Sequence, residues 1–560
     1  MYPEDKFIEK KTLIWRWVSE GFVPDKQGIG SYELGENYYN DLVNKSLIRE
    51  VKYNGEEGCR VHDMVLDMIR TMSMEVNFVT VQDTGENQIS SSPSGQGNRV
   101  HRLAFHGAKV KYDASIKMGH VRSFNAITCS NSGMPPLSIF KVLRVLVIED
   151  CVFSEDISIK HLGKLAQLRY LGLVNTSVKL PEDIGVDLKF LEILDVRGGC
   201  ISELPPSVGE LQNLRCLWAD EGTRMKGEIG KLACLEELKL ESAAEVPNFS
   251  RDVGKLTKLR VLMIQVEETA CKVLAESLLN LHNIQVLEII QRNELEDIKD
   301  LYKIKLYVRI GSLEELTPSS RLRSFVLPDI SATKMPSWIN ALSVPLLYKV
   351  MLHVEVVEAQ DLQILGSLEE LTPSSRLHTF VLWSIIITKI PSWINALSVP
   401  LLSVLFLHVE VVEAQDLQIL GRLSSLIILG FFSAEKNCVS YIFGSGEFQK
   451  LKFLATNVEI TLGEGALPML ETLIYSASSG RKDSLVPWNK SCPLLDDVTC
   501  VLDCVDSGRK EVKAAKAVLR EAKRAHPNAE NLRLYIDLLN YNRKPARRID
   551  ALESILAGLN

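Results

Sequence analysis

The stretch CRVHDMVLDMIR, Cys59 to Arg70, sets a histidine and an aspartate side by side where an apolar-periodic segment begins. His62 and Asp63 could form a catalytic or metal-ligating pair, a phosphate contact at a helix N-terminus, or a plain helix cap, with Asp63 the natural N-cap residue. A metal needs further ligands at matching spacing and a general base needs a partner group; neither pattern accompanies this pair. Cys492, Cys500 and Cys504 cluster without a CxxC pair or matching histidines, which points to structural roles. No GxxxxGK[ST] phosphate loop is present, because the Gly-Lys pairs at Gly163, Gly230 and Gly254 each continue into leucine. No catalytic residue and no metal ligand is expected, and the chain does not read as an enzyme.

The elements that must position His62 are helical in pattern. TLIWRWVSEGF, ELGENYYNDLVNKSLI and VHDMVLDMI carry apolar residues at helical spacing, with a polar turn at Asn54-Gly55, and together suggest a small helical domain over residues 1–80. Gln82 to Asn98 holds almost no apolar residue and many Ser, Gly and Asn, so residues 81–99 are expected to be a flexible linker.

The chain has 560 residues, too many for a single compact core, with 46% hydrophobic and 24% charged residues as in ordinary folded proteins. Its 64 basic and 71 acidic residues give a net charge of -7, so no global field draws it to nucleic acid or an anionic membrane. No apolar run is long enough to span a bilayer and the N-terminus lacks the apolar core of a signal peptide. A cytoplasmic or nuclear location is expected. The eleven cysteines are scattered, several within leucine-patterned segments, as suits buried thiols in a reduced compartment.

Beyond the linker a period appears. The triplets Leu165/Leu168/Leu171, Leu188/Leu191/Leu194, Leu211/Leu214/Leu217, Leu232/Leu235/Leu238, Leu256/Leu259/Leu262 and Leu281/Ile284/Leu287 start 23, 23, 21, 24 and 25 residues apart. The alternate-residue ending LxL fits a strand, and the turns KLPEDIG and ELPPSVG carry prolines that would break a helix. Each unit is one short strand plus a return segment and cannot close a core alone, so neighbours must stack into a curved solenoid. Asn175 stands where such repeats place a polar residue that bonds the turning backbone. The fold class is therefore α/β: a leucine-rich-repeat horseshoe over residues 100–480 behind the small helical domain.

Residues 311–365 recur as residues 366–420, differing at eleven positions. The framework Leu322, Phe325 and Leu327 match Leu377, Phe380 and Leu382, whereas Arg323 and Ser324 become His378 and Thr379 and Pro328 becomes Trp383. In the next strand Tyr348, Lys349 and Met351 become Ser403, Val404 and Phe406. Buried positions resist change, so drift alone would also concentrate differences on the surface; diversification of a ligand-facing concave surface is the functional alternative. On that reading Arg323, Ser324, Tyr348, Lys349, Met351, His378, Thr379, Trp383, Ser403, Val404 and Phe406 face the ligand.

YPEDKFIEKKTLIWRWVSEGFV at 2–23, LGENYYNDLVNKSLI at 34–48, VHDMVLDMI at 61–69 and LRYLGLVNTSVKLPEDIG at 168–185 together resemble the plant nucleotide-binding leucine-rich-repeat immune receptors, of the coiled-coil class common in grasses. The resemblance implies that the first three segments form the winged-helix part of a nucleotide-binding module. It equates Val61-His62-Asp63 with the family's Met-His-Asp motif, whose histidine contacts the β-phosphate of bound ADP. The match begins inside the winged helix, without phosphate loop or coiled coil, as though an upstream part were cut away. ADP or ATP is accordingly expected only where a nucleotide-binding module is supplied in trans. The implied partner is a pathogen effector or a guarded host protein, bound on the repeat face; a switchless scaffold or decoy is the alternative.

From Gly508 to Arg548 twelve Lys or Arg stand against four Asp or Glu. KEVKAAKAVLREAKRAH reads as a helix that caps the last repeat with a solvated outer face, within a C-terminal cap and basic tail over 481–560; RNA and anionic lipid are the other readings, and no nucleic acid is expected.

Overall fold

The computed structural model describes residues 2–539, apart from segments 84–99, 108–117, 131–133, 152–160, 267–273, 292–307, 311–319, 333–337, 355–368, 435–439, 479–484, 489–491, 504–508 and some isolated positions. These residues fall into two compact units, 1–265 and 266–560. Among them no helix is long and apolar enough to cross a membrane.

The first unit begins with three helices, α1 (Lys10–Glu20), α2 (Ser31–Asn44) and α3 (Asp63–Glu75). Gly21 stops α1 at φ 82°, and the Phe22 N–H returns to the Trp17 carbonyl at 2.9 Å, the bonding that closes a helix through a left-handed residue. Gly35 lets α2 approach, since a Cβ there would lie 2.6 Å from Ile14 Cγ2. The domain is not purely helical. Glu56–Arg60 pairs antiparallel with both Ile8–Glu9 and Arg49–Tyr53. Asn54 and Gly55, the expected polar turn, lie outside the described residues. Ile8, Leu13, Ile14, Tyr39 and Cys59 form the local core.

Parallel strands follow at the period of the leucine triplets, among them Arg102–His106, Ser123–Ile127, Val145–Glu149, Tyr170–Val174, Ile193–Asp195, Cys216–Ala219 and Glu237–Leu240. All eighteen triplet residues are buried, none more than 4% exposed, because each LxL aims its leucines between the sheet and the return segments. The return segments are short 3-10 turns such as Pro206–Glu210 and Ile229–Lys231. A column of left-handed residues turns the chain after successive strands: Gly107, Thr128, Asp150, Asn175 and Gly198. Each of the first four donates its N–H to the neighbouring repeat, Asn175 to the Arg197 carbonyl at 2.9 Å. The Asn175 side chain itself bonds Asp150 Oδ1 at 2.7 Å rather than the backbone.

Two boundaries differ from the sequence reading. Thr80–Asp83 is a strand paired in parallel with Leu103–His106, so the repeat sheet starts inside the expected linker, of which 84–99 lies outside the described residues. At the other end Thr472–Ser478, Asp497–Asp503 and Arg533–Leu539 are consecutive parallel strands. The basic helix Arg509–Ala525 is therefore the return segment of a repeat and not a terminal cap, since one more strand adds after it. In the second unit the two duplicated blocks lie side by side, with strands Ser324–Ala332, Lys349–Val354, Thr379–Ile387 and Val404–Val409 in sequence and parallel.

Candidate interaction surface

On each repeat strand the residues between the leucines point to the concave side. In the first unit these are Val145, Val147, Tyr170, Ile193, Cys216, Trp218 and Glu237, and α1 lies across them: Trp15, Val18, Val23 and Leu34 share one buried cluster with the first six. The α1 helix is buried on two sides, because Leu13 and Ile14 fill its own domain while Trp15 and Val18 face the repeats.

Polar contacts register the two surfaces. Trp15 Nε1–H donates to Glu237 Oε1 at 2.9 Å, and Arg215 stacks on the Trp15 ring at 4.5 Å while donating to Ser31 Oγ at 2.7 Å. Arg197 donates through Nε and Nη2 to the fully buried Asp195 carboxylate, both at 2.9 Å, and through Nη2 to Glu9 Oε2 at 2.9 Å, over the Trp218 ring. Lys6 bridges Glu149 at 2.8 Å and Asp150 at 3.1 Å, and Arg102 meets Glu20 at 3.1 Å. Arg260 lies over the Tyr32 ring at 4.7 Å. Burial pushes the Glu9 carboxyl up, but the Lys11 and Arg197 charges and their hydrogen bonds outweigh it and hold it down at about 2. Tyr2, beside Arg16, is pushed up to about 12 by burial.

His62 is exposed and is itself the N-cap of α3: Leu66 N–H reaches its carbonyl at 2.9 Å, and its Nδ1 lies 3.4 Å from the Met64 N–H. Asp63 is the first helical residue and not the cap. Of α3, Met64, Met68 and Met72 are 78%, 48% and 58% exposed, so an apolar face stands uncovered beside His62. Gly163, Gly230 and Gly254 sit in the 3-10 turns between repeats, where added Cβ atoms at Gly163 and Gly230 would strike Asp187 and Asp252. Cys492 and Cys500 are buried, and Cys504 lies outside the described residues.

In the second unit the concave positions carry an apolar ladder. Val326 is in register with Met351, Met351 with Val381, Val381 with Phe406, Phe406 with Gly430, Gly430 with Ala455, and Ala455 with Ile474. The Phe406 ring lies across Gly430, filling the space that a Cβ there would need. Of the eleven positions singled out from the duplication, Met351 and Phe406 belong to this ladder and are 7% and 6% exposed, covered by their own neighbours. Ser324 is buried too, its Oγ donating to Glu288 Oε1 at 2.6 Å; Lys349 meets the same carboxylate at 3.4 Å. Tyr348 is 40% exposed with its ring 6.4 Å from that of His378, whose carbonyl accepts from Ser403 Oγ at 3.1 Å. Arg323, Thr379 and Val404 are half-buried, and the Trp383 side chain lies outside the described residues. Of the eleven, only Tyr348 is exposed among the described side chains, and the half-buried His378 and Ser403 lie at the neighbouring strand entries.

The contacts of Glu9, Trp15, Arg16 and Glu20 with the repeats were not anticipated from sequence. Their one signal is TLIWRWV, a helix apolar on more than one side, which is the mark of a helix buried between two partners.

Residues 120–373 and 370–532 match the family described as "Leucine-rich repeat region", and residues 1–69 match "Disease resistance protein Winged helix domain". Among curated proteins the chain is similar to Disease resistance protein PIK6-NP of Oryza sativa subsp. japonica, at 28% identity over 66% of this chain and 38% of that protein. It is 25% identical to Disease resistance protein RGA5 of the same organism over 94% of this chain and 43% of that one. The chain thus spans about two fifths of the length of these relatives. Among solved structures the Arabidopsis receptor kinase HAESA ectodomain with a peptide hormone superposes at a TM-score of 0.42 and 18% identity, over 66% of this chain and 65% of that one.

Proposed function

Since the chain belongs to the leucine-rich-repeat family and carries the winged-helix domain of disease resistance proteins, we propose that it is the recognition half of a plant immune receptor. Its concave surface in the second unit would bind a pathogen effector or a guarded host protein. The observation that carries the reading is the unequal use of the two concave surfaces. In the first unit α1 occupies that side, whereas in the second the variable Tyr348 is exposed at a strand entry, with the half-buried His378 and Ser403 at the neighbouring strand entries. A scaffold held up by framework leucines can exchange such residues without loss of its core.

The winged helix supports a role in relay. The uncovered methionines of α3 beside His62 suit docking on a nucleotide-binding module supplied by another chain, where His62 would face the β-phosphate of ADP.

The test is an exchange between the two duplicated blocks. Tyr348→Ser and Lys349→Val together should change the set of proteins captured in a binding screen while thermal stability holds within a few degrees. An unchanged partner set with the fold intact would reject the second-unit surface as the recognition site and leave the scaffold reading.

A further inference from the structure

The helix Arg509–Ala525 separates its residues more sharply than a return segment requires. Ala515 and Leu519 pack inward, 2% and 0% exposed, with Val512, Val518 and Ala522 partly buried beside them. Lys510, Lys513, Lys516, Arg520, Lys523 and Arg524 then fall within an arc of about 140° on the helix surface, at 3.6 residues per turn. Glu511 and Glu521 lie outside that arc. Lys510, Lys513, Arg520 and Arg524 are exposed, and none of the six is in an ion pair among the described residues. Some exposed lysines elsewhere in the chain are paired, Lys226 with Glu203, Lys231 with Glu210 and Lys452 with Glu471, and those that are not stand singly rather than in a stripe.

Gathering six like charges along roughly 21 Å of one helix destabilises it unless a counter-charge arrives. We propose that this stripe is a docking surface for an anionic lipid bilayer, bound peripherally through its headgroups. The apolar residues of the helix are consumed by the repeat beneath, so the helix adsorbs flat and does not insert. That same flush packing keeps it out of a nucleic-acid groove. The helix Arg509–Ala525 itself has no aromatic residue on which bases could stack. The proposal is independent of which protein the concave surface recognises.

The test is co-sedimentation of the full chain with phosphatidylcholine vesicles, with and without phosphatidylserine, at low and near-physiological salt. Binding is expected only with phosphatidylserine, weakening as salt rises. The combined variant Lys513→Gln, Arg520→Gln, Arg524→Gln should lower affinity on the order of a hundredfold, at about 1 kcal/mol per cation, with an unchanged melting temperature because all three are exposed. Glu521→Gln should bind at least as well as the parent. Equal binding to both vesicle types, no binding to either, or a triple variant that binds like the parent would each overturn the proposal. So would single-stranded RNA that binds through the same three residues and displaces the chain from vesicles.

Discussion

Trp15 and Glu237, separated by 222 residues of sequence, are joined by a buried hydrogen bond of 2.9 Å, and Arg260 meets the same carboxylate at 3.3 Å. The indole N–H needs an acceptor once the ring is buried, and the carboxylate needs donors once it leaves water. Each therefore makes the other tolerable, and together they fix where α1 lies across the repeats.

Trp15→Phe keeps most of the apolar contact but removes one donor from the buried Glu237 carboxylate. A loss of about 1–3 kcal/mol is expected, and Trp15→Ala should cost about 3–5 kcal/mol through the added cavity. Chemical denaturation measures both, and limited proteolysis should cut the Trp15→Ala variant between the winged helix and the repeats. Parental stability in both variants would mean that α1 does not rest on the concave surface in solution.

One carboxyl and one imidazole group set separate pH windows. The folded-state pKa of Glu9 lies below its ordinary value of 4.5, at about 2. Its stabilisation is complete above pH 4.5 and disappears as pH falls through 2, a total of about 3 kcal/mol. Burial holds His408 down at about 4 against an ordinary 6.5. Its neutral form is fully favourable above pH 6.5, and stability falls as pH drops from 6.5 through 4, again by about 3 kcal/mol. Acid titration of stability should show both windows; Glu9→Gln should flatten the lower and His408→Asn the upper.

Gly430→Ala should destabilise by about 1–3 kcal/mol, because the new methyl enters space held by the Phe406 ring. Phe406→Met, which restores the residue of the sister block, should recover part of that loss. A double-mutant cycle measures the coupling, and strict additivity would show that the ring does not lie over residue 430.

Arg197→Lys keeps a charge but cannot reproduce the paired bonds to Asp195 or the stacking on Trp218. Since Asp195 is buried, the lost bond leaves one of its acceptor sites unmet, and a loss of about 1–3 kcal/mol is expected in denaturant unfolding. Arg197→Met with Asp195→Leu should lose less than Arg197→Lys, as the buried charge then goes with its partner.

The sequence by itself determined the repeating strands, because the leucine period of 21 to 25 residues states which positions must be buried whatever the rest of the chain does. It also placed a polar residue, Asn175, at a turn between repeats, although its side chain bonds Asp150 and not the backbone. The extra repeats after residue 480 escaped notice because valines, cysteines and isoleucines take over positions that leucines mark earlier. Only the tertiary structure decided which concave residues are free. Glu9, Trp15 and Glu20 meet Arg197, Glu237 and Arg102 across 82 to 222 residues, and no periodicity in either segment encodes that pairing. The same holds for Met351 and Phe406: alternation puts them on the concave side, but whether they stand open is set by the size of their neighbours. Gly430 gives the Phe406 ring a place to lie flat, and that is a property of two stacked repeats and not of either alone.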